Sequence, residues 1–351
     1  MSMPHKHATK MTLKTMILAM ASTAPAGLLA AVDIDVYGSL RMQAETVHPD
    51  SSAEFANGGN SSYSNIRDAY SRLGATANWQ ATDGLNIFGQ LEVPFDTANF
   101  QVQDPYNDQR DLRVAQVGIS GEFGTLAYGQ MWLPFYNAIS YKVDRFSTYY
   151  SGYATLAFFR AFNTVSYYSP DFNGVSFGAG AVLKDTSDRA DTFGDNRYQF
   201  TATYNANGTD ISVGIEQVDD NNDTRLLGAA LGQQIDNIYI GIKLEQSSAK
   251  GRSDANVFNL YADYTLNDYT FKAMYADVDG FGGEIFHLGA DYQYSKNLKT
   301  FIEFYQQESV NALAAEKAGG AGDFRNPLGD FAPNAKKGGG KALAVGFRYD
   351  F

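Results

Sequence analysis

The sequence predicts an all-β protein, a membrane-spanning antiparallel up-and-down β-barrel of sixteen strands. Three observations predict it: segments that alternate apolar and polar residues with a period of two, a segment length of about ten residues, and links that are alternately short and long.

The first 31 residues read as an export signal. Lys6, Lys10 and Lys14 make a positive start, Met16 to Ala21 is apolar, and small residues follow to Ala31. Cleavage is expected after Ala26, Ala30 or Ala31, which leaves residues 32–351 as the barrel domain. The whole chain balances 27 Lys and Arg against 39 Asp and Glu, a net −12 that becomes −15 without the three leader lysines. Such an acidic chain excludes nucleic acid as a partner, because phosphate contacts need clustered cations. With no cysteine, disulfides and thiolate metal sites are excluded as well. Past the leader there is no apolar run of about 18 residues, so any membrane crossing is by strands. Aromatic residues reach 14%, with 23 Tyr and 24 Phe, a composition suited to strands that meet a membrane interface.

In chain order the strands fall near 33–45, 67–80, 84–94, 110–120, 124–131, 162–169, 174–184 and 196–205. The second half adds 209–217, 223–233, 236–246, 255–265, 268–277, 284–294, 297–308 and 341–351. Three of them alternate cleanly. Tyr198, Phe200, Ala202 and Tyr204 oppose Arg197, Gln199, Thr201 and Thr203; Ile238, Ile240, Ile242 and Leu244 oppose Tyr239, Gly241, Lys243 and Glu245. Leu343, Val345, Phe347, Tyr349 and Phe351 oppose Ala344, Gly346, Arg348 and Asp350. Short links follow the even-numbered strands, among them 81–83, 169–173, 205–208, 234–235, 266–267 and 294–296. The longest links, 46–66, 95–109, 132–161 and 309–340, all follow odd-numbered strands.

In hydrocarbon an open sheet edge leaves unpaired backbone groups, each costing several kcal/mol, so the sheet must close. A slip of one residue would turn Arg197, Lys243 or Arg348 to lipid at roughly 2–4 kcal/mol each near the midplane. The inner face is therefore wet. Two strands depart from the pattern. If Arg113 points inward, Val114, Gln116 and Gly118 point outward, a set too small and polar for lipid and better suited to a subunit contact. Phe301 falls inward between Lys299 and Glu303, which reads as a local register error.

Several pieces resemble the Gram-negative general diffusion porins: Val36-Tyr37-Gly38-Ser39-Leu40, Ser71-Arg72-Leu73-Gly74, Phe88-Gly89-Gln90-Leu91-Glu92 and Tyr128-Gly129-Gln130. Asn163 to Pro170, His287 to Tyr292 and Val345 to Phe351 continue the likeness in family order. The resemblance implies a homotrimer in the outer membrane of a Gram-negative bacterium, among its lipid and lipopolysaccharide. Each barrel would pass small hydrophilic solutes, with a third loop, here 132–161, folded inward. It also implies delivery by the barrel-assembly machinery, which would read Phe347, Tyr349 and Phe351 in the last strand.

The family's constriction sets basic wall residues against acidic loop residues. By motif position Arg72 and Arg113 match wall arginines; Arg41 lies two residues past a usual basic position held here by Ser39, and Ser166 stands where another arginine is expected. Asp144, with Lys142 and Arg145 beside it and Glu92 on the wall, completes the expected constriction. Fixed charges in a confined bore select ions without catalysis. The acidic balance and the missing arginine predict a mild cation preference. Of the loop aromatics, Tyr141, Tyr149 and Tyr150 are candidates to stack on sugars, or else they pin the loop to the wall. Asp104, Asp108 and Asp111 either share a divalent cation or form a solvated acidic loop.

No cofactor is expected, and no enzymatic activity. Only His48 and His287 survive loss of the leader, and there is neither a Gly-x-Ser-x-Gly elbow nor a His-Glu-x-x-His helix. Beside the diffusion channel stand two other readings, an oligosaccharide-preferring channel and a structural or adhesive barrel that displays the Gly- and Lys-rich eighth loop.

Overall fold

The computed structural model describes residues 32–50, 61–103, 112–184, 195–279, 282–309 and 339–351. The leader, the aspartates at 104, 108 and 111, and nearly all of the eighth loop lie outside the described residues. The strands are β1 (Val32–Pro49), β2 (Tyr63–Asp68), β3 (Arg72–Thr82), β4 (Leu85–Pro94), β5 (Val114–Gly121), β6 (Gly124–Trp132), β7 (Arg160–Tyr168), β8 (Val175–Val182), β9 (Arg197–Ala206), β10 (Thr209–Val218), β11 (Arg225–Ile235), β12 (Ile238–Ser248), β13 (Ala255–Leu266), β14 (Tyr269–Val278), β15 (Gly283–Gln293), β16 (Leu298–Gln307) and β17 (Gly340–Asp350).

Those 17 strands fill sixteen positions around one closed antiparallel barrel. β2 and β3 share a position: β2 pairs with Met42–Val47 of β1 and β3 with Val32–Ser39. Closure comes from β17, which pairs back onto β1 from Ser39↔Asp350 to Pro49↔Gly340. Sequence reading placed one strand at 67–80 and ended the first at 45; the observed pair extends further and breaks at Tyr70, whose φ is +69°. The break is sealed by side chains. The Ser71 hydroxyl accepts the Arg41 N–H at 2.7 Å and donates to the Arg41 carbonyl at 3.0 Å, while the Asp68 carboxylate accepts the Ser71 N–H at 2.9 Å. Backbone groups that the interrupted ladder would orphan are thus satisfied.

The alternation reads out as anticipated. Tyr198, Phe200 and Tyr204 are exposed on the outer face, and Arg197, Gln199 and Thr201 are buried within. Tight links lie at one end, as at Asn207-Gly208, where both residues take positive φ and suit a two-residue hairpin.

Two further expectations are corrected. Val114, Gln116 and Gly118 face inward and Ala115, Val117 and Ile119 outward, because Arg113 sits in a bend before β5 and its parity does not carry into the strand. The inward placement of Gln116 follows from its amide, which donates to Gln90, whose own amide donates to the Tyr37 hydroxyl on the inner wall. Phe301 is no register error either. It faces inward opposite Gly346 and lies across that glycine so closely that a Cβ there would come within 2.4 Å of the ring. Tyr37 covers Gly74 and Phe88 covers Gly118 in the same way. An aromatic laid over a cross-strand glycine restores the packing that the missing side chain forfeits.

Residues 133–159 do not leave the barrel mouth but turn into it. Helix α1 (Pro134–Ala138) starts on a proline, whose missing N–H costs nothing in a first turn, and a 3-10 turn (Ser140–Lys142) follows. Phe135 of α1 seats over Gly214 and Gly228, where the wall has no side chains to obstruct it.

Candidate functional site

Three buried carboxylates of the wall hold this loop, Glu245 and Glu303 by its backbone and Glu45 by a side chain. Glu245 on β12 accepts the Leu156 N–H at 2.6 Å and the hydroxyls of Thr155 and Ser140 at 2.7 and 3.1 Å. Glu303 on β16 accepts the N–H groups of Ser147 and Thr148 at 2.8 and 3.1 Å and the Thr148 hydroxyl at 2.7 Å. Glu45 on β1 accepts the Tyr150 hydroxyl at 2.7 Å, and its neighbour Gln43 takes the Tyr149 N–H. Each carboxylate has its own cation: Lys243 for Glu245 at 3.0 Å, Lys272 for Glu303 at 2.9 Å and Arg67 for Glu45 at 2.8 Å. Buried charge is tolerated only when paired and hydrogen-bonded, and these pairs meet both conditions. His287 adds a further contact, with Nε2 at 3.1 Å from Glu303 and its ring stacked on Phe146.

What the loop leaves open is a lumen cavity of about 720 Å³. Among the described residues that line it, eight are cationic (Arg41, Arg72, Arg113, Arg145, Arg160, Lys272, Lys299 and Arg348) and four are acidic (Asp144, Asp263, Asp268 and Asp291). Strand order places most of the cations in one arc. Arg348 on β17 is directly paired with Arg41 on β1 and also with Lys299 on β16, so three cations stand side by side across three strands. Arg72 on β3 and Arg113 before β5 continue the arc, both held by Glu92 of β4 at 3.4 and 2.8 Å. Arg160, at the start of β7, ends it.

Like charges directly opposite one another destabilise a sheet, by roughly 0.2–1 kcal/mol per pair. Local carboxylates offset part of this: Asp350 lies 2.6 Å from Arg348, and Asp291 lies 2.7 Å from Lys299 and 2.8 Å from Lys272. On the loop side Asp144 accepts hydrogen bonds from Tyr136 at 2.7 Å and from Ser151. Burial, reinforced by the Asp144 charge, pushes the Tyr136 hydroxyl well above its usual range, so it stays protonated as the donor.

Of the residues singled out from sequence, Arg41, Arg72, Arg113, Asp144, Arg145 and Tyr141 line the lumen, and Glu92 braces two of the arginines. Arg145 reaches Asp263 at 3.4 Å and lies over the Tyr239 ring at 4.0 Å. Lys142 is brought elsewhere: it is buried against the wall and bridges Asp210 at 2.8 Å. Tyr149 and Tyr150 are also buried, stacked on Tyr70 and Tyr305, and their faces are covered. Phe347, Tyr349 and Phe351 sit on the outer face of the last strand, where Phe351 exchanges backbone hydrogen bonds with Gly38. Ser166 donates to the Met131 sulfur, and Arg160 supplies a cation from the same strand. Sequence reading did not select Arg160, Lys272, Lys299 or Arg348 for the constriction. Inward parity near the loop was the available signal, and Lys299 and Arg348 already carried it.

No curated protein matches the chain significantly. Solved structures do. The fold is similar to an anion-selective porin from Comamonas acidovorans (TM-score 0.68, 20% identity, covering 91% of this chain and 100% of that one). It is also similar to OmpF of Salmonella typhi, solved with daunomycin (0.67, 17% identity, 92% and 98%), and to OmpT of Vibrio cholerae (0.63, 16% identity, 92% and 98%). The family model for Gram-negative porins matches residues 15–312. A sixteen-position barrel, an internal loop that narrows it and this match over most of the sequence together establish that the chain belongs to the Gram-negative porin family, the non-enzymatic outer-membrane channels of passive diffusion.

Proposed function

We propose that this porin passes small hydrophilic solutes with a preference for anions. One observation carries the reading: the in-register row Lys299, Arg348 and Arg41, continued by Arg72, Arg113 and Arg160, faces a lumen whose lining has twice as many cations as carboxylates. The acidic balance of the whole chain, from which a mild cation preference was expected, does not describe this surface. Glu45, Glu245 and Glu303 are occupied by the loop and are not among the lumen-lining residues. In a narrow, water-filled bore, cations that a passing ion meets directly count for more than carboxylates behind them, because the interaction falls with distance and those carboxylates are already paired with wall cations. The anion-selective Comamonas acidovorans porin gives the reading a precedent in the same fold.

Trimerisation belongs to the same proposal. The outer faces of β3, β4 and β5 carry Ala75, Ala77, Gly89 and Ala115 among aliphatic residues such as Leu91, Val117 and Ile119, where β9, β13 and β14 present the larger rings of Tyr198, Phe200, Phe258, Tyr264 and Phe271. A trimer form of OmpT from Vibrio cholerae shares the fold. Export by a cleaved leader, delivery through the assembly machinery and contact with lipopolysaccharide complete the picture for this family member. The test is the reversal potential of the purified protein in planar bilayers under a KCl gradient. We expect chloride to be favoured roughly two- to fivefold, the effect of about 0.5–1 kcal/mol of net field. A potassium preference refutes the anion reading, and absence of conductance from folded protein refutes the open channel.

A further inference from the structure

Four aromatic rings border the lumen where the arginine arc ends. Trp132 closes β6, Tyr136 and Tyr141 ride on the inserted loop, and Phe159 lies at its end. Their centroids are 4.7 Å apart for Trp132 and Tyr136, 4.6 Å for Tyr136 and Phe159, and 6.5 Å for Tyr136 and Tyr141. Tyr141 is 59% exposed, in contrast to the covered rings of Tyr149 and Tyr150. The cation comes from the adjacent strand. Arg160 is paired directly with Trp132, and its guanidinium carbon lies 4.6 Å from the Trp132 ring centre. Arg160 also lies within electrostatic range of Glu92, which holds Arg72 and Arg113, so the rings and the arginine arc form one continuous surface.

A path for chloride needs the cations and has no use for the rings. A path for neutral sugars needs the rings and has no use for the cations. The juxtaposition suits a solute with both a π face and a negative charge, its ring on the exposed aromatic edge and its anionic group toward the guanidinium. We propose that the lumen holds a binding subsite for small aromatic carboxylates, with Tyr141 and Trp132 contacting the ring and Arg160 the carboxylate. This rests on the reading of the chain as an anion-preferring channel and names the class of anion retained within it.

The probes are benzoate, cyclohexanecarboxylate and benzyl alcohol, added to the unaltered trimer conducting chloride in a planar bilayer. Cyclohexanecarboxylate keeps size and charge but removes the π face; benzyl alcohol keeps the π face but removes the charge. Half-maximal reduction of the chloride current is expected at a benzoate concentration at least tenfold below that of either control. Tyr141→Ala should raise the benzoate value to that of cyclohexanecarboxylate, and Arg160→Gln should raise both carboxylates together. Equal block by benzoate and cyclohexanecarboxylate overturns the proposal, as does a benzoate block that Tyr141→Ala leaves unchanged. Block by maltohexaose without block by benzoate overturns it in favour of a sugar subsite. The reversal potential of the same unaltered protein judges the underlying reading separately, since chloride preference survives every one of these failures.

Discussion

Two sets of charges stand inside this barrel, and they differ in what touches them. In the anchoring set, Glu45, Glu245 and Glu303 are each closed by a wall cation on one side and by loop hydroxyls or N–H groups on the other, and all three are buried. In the lumen set, Arg72, Arg348 and Arg145 keep 22%, 30% and 36% of their side chains accessible, and a carboxylate holds each from one side, whereas Arg113 and Lys272 border the lumen but are closed like the anchors. The strand members of both sets obey the same inward parity. The difference teaches that a charge inside a barrel becomes functional by being left unfinished: once its donors and acceptors are all used it is a structural clamp, and what remains open is offered to the solute.

The sharpest way to break the comparison is to damage the anchors. Glu245→Gln with Glu303→Gln leaves Lys243 and Lys272 in place with their main carboxylates gone. Removing one partner of a buried pair costs roughly 3–5 kcal/mol, and the loop amides lose charged acceptors worth about 1.5–3 kcal/mol each. We expect the double variant to conduct with frequent closures or an enlarged conductance, and to lose heat-resistant folded mobility at a lower temperature. Steady single-channel current with unaltered mobility would show that the loop is held by its aromatic packing alone.

Next in size is the open set. Replacing Arg41, Arg348 and Lys299 together by Gln removes the whole in-register row, and each charge is worth roughly 0.5–1 kcal/mol to a nearby ion in a partly screened bore. The permeability ratio should move at least fivefold toward potassium. Relief of repulsion within the row is set against the lost partners of Asp350, which is 43% accessible, and of Asp291, which keeps Lys272 at 2.8 Å, so the same change should leave the barrel about as stable as before, which thermal loss of folded mobility measures. An unchanged ratio would mean that Arg72, Arg113 and Arg160 govern selectivity by themselves.

These two sets also mark how far the sequence could be read. Strands were legible because every one of them must separate two solvents, and a strand does so with a period of two. Where legibility failed, a local irregularity intervened. The bend at Arg113 reset the parity of β5, and the break at Tyr70 divided one barrel position into two strands. Phe301 looked misplaced because its reason, Gly346, lies on the neighbouring strand 45 residues later. The loop was the hardest part. Its length and aromatic content marked it, yet which of its side chains reach the lumen is decided by Glu245 and Glu303, about a hundred residues or more away in sequence. Arg348 was placed on the inner face from alternation, but its meaning depended on standing beside Arg41 and Lys299, which only the closed register reveals.

The smallest expected effect is the most discriminating, because it separates charge count from charge placement. Lys142 and Arg145 sit three residues apart on the inserted loop, and sequence alone gives them the same standing. The 3-10 turn aims Lys142 at Asp210 on the barrel wall, where its ammonium is buried at 2.8 Å from the carboxylate, whereas Arg145 lies over Tyr239 with its edge in the lumen. An ion in the bore therefore meets Arg145 directly, loosely paired with Asp263 at 3.4 Å, and Lys142 only as a buried ammonium in a tighter pair with Asp210. Arg145→Gln should shift the permeability ratio toward potassium by about a factor of two, in keeping with one partly screened charge. Lys142→Gln should shift it by less than about a fifth of that in free-energy terms, and register chiefly as a small loss of loop stability, because the partner Asp210 is 36% accessible and can be solvated. If the two substitutions move the ratio equally, selectivity follows the total charge of the loop and the distinction between closed and open charges does not govern conduction.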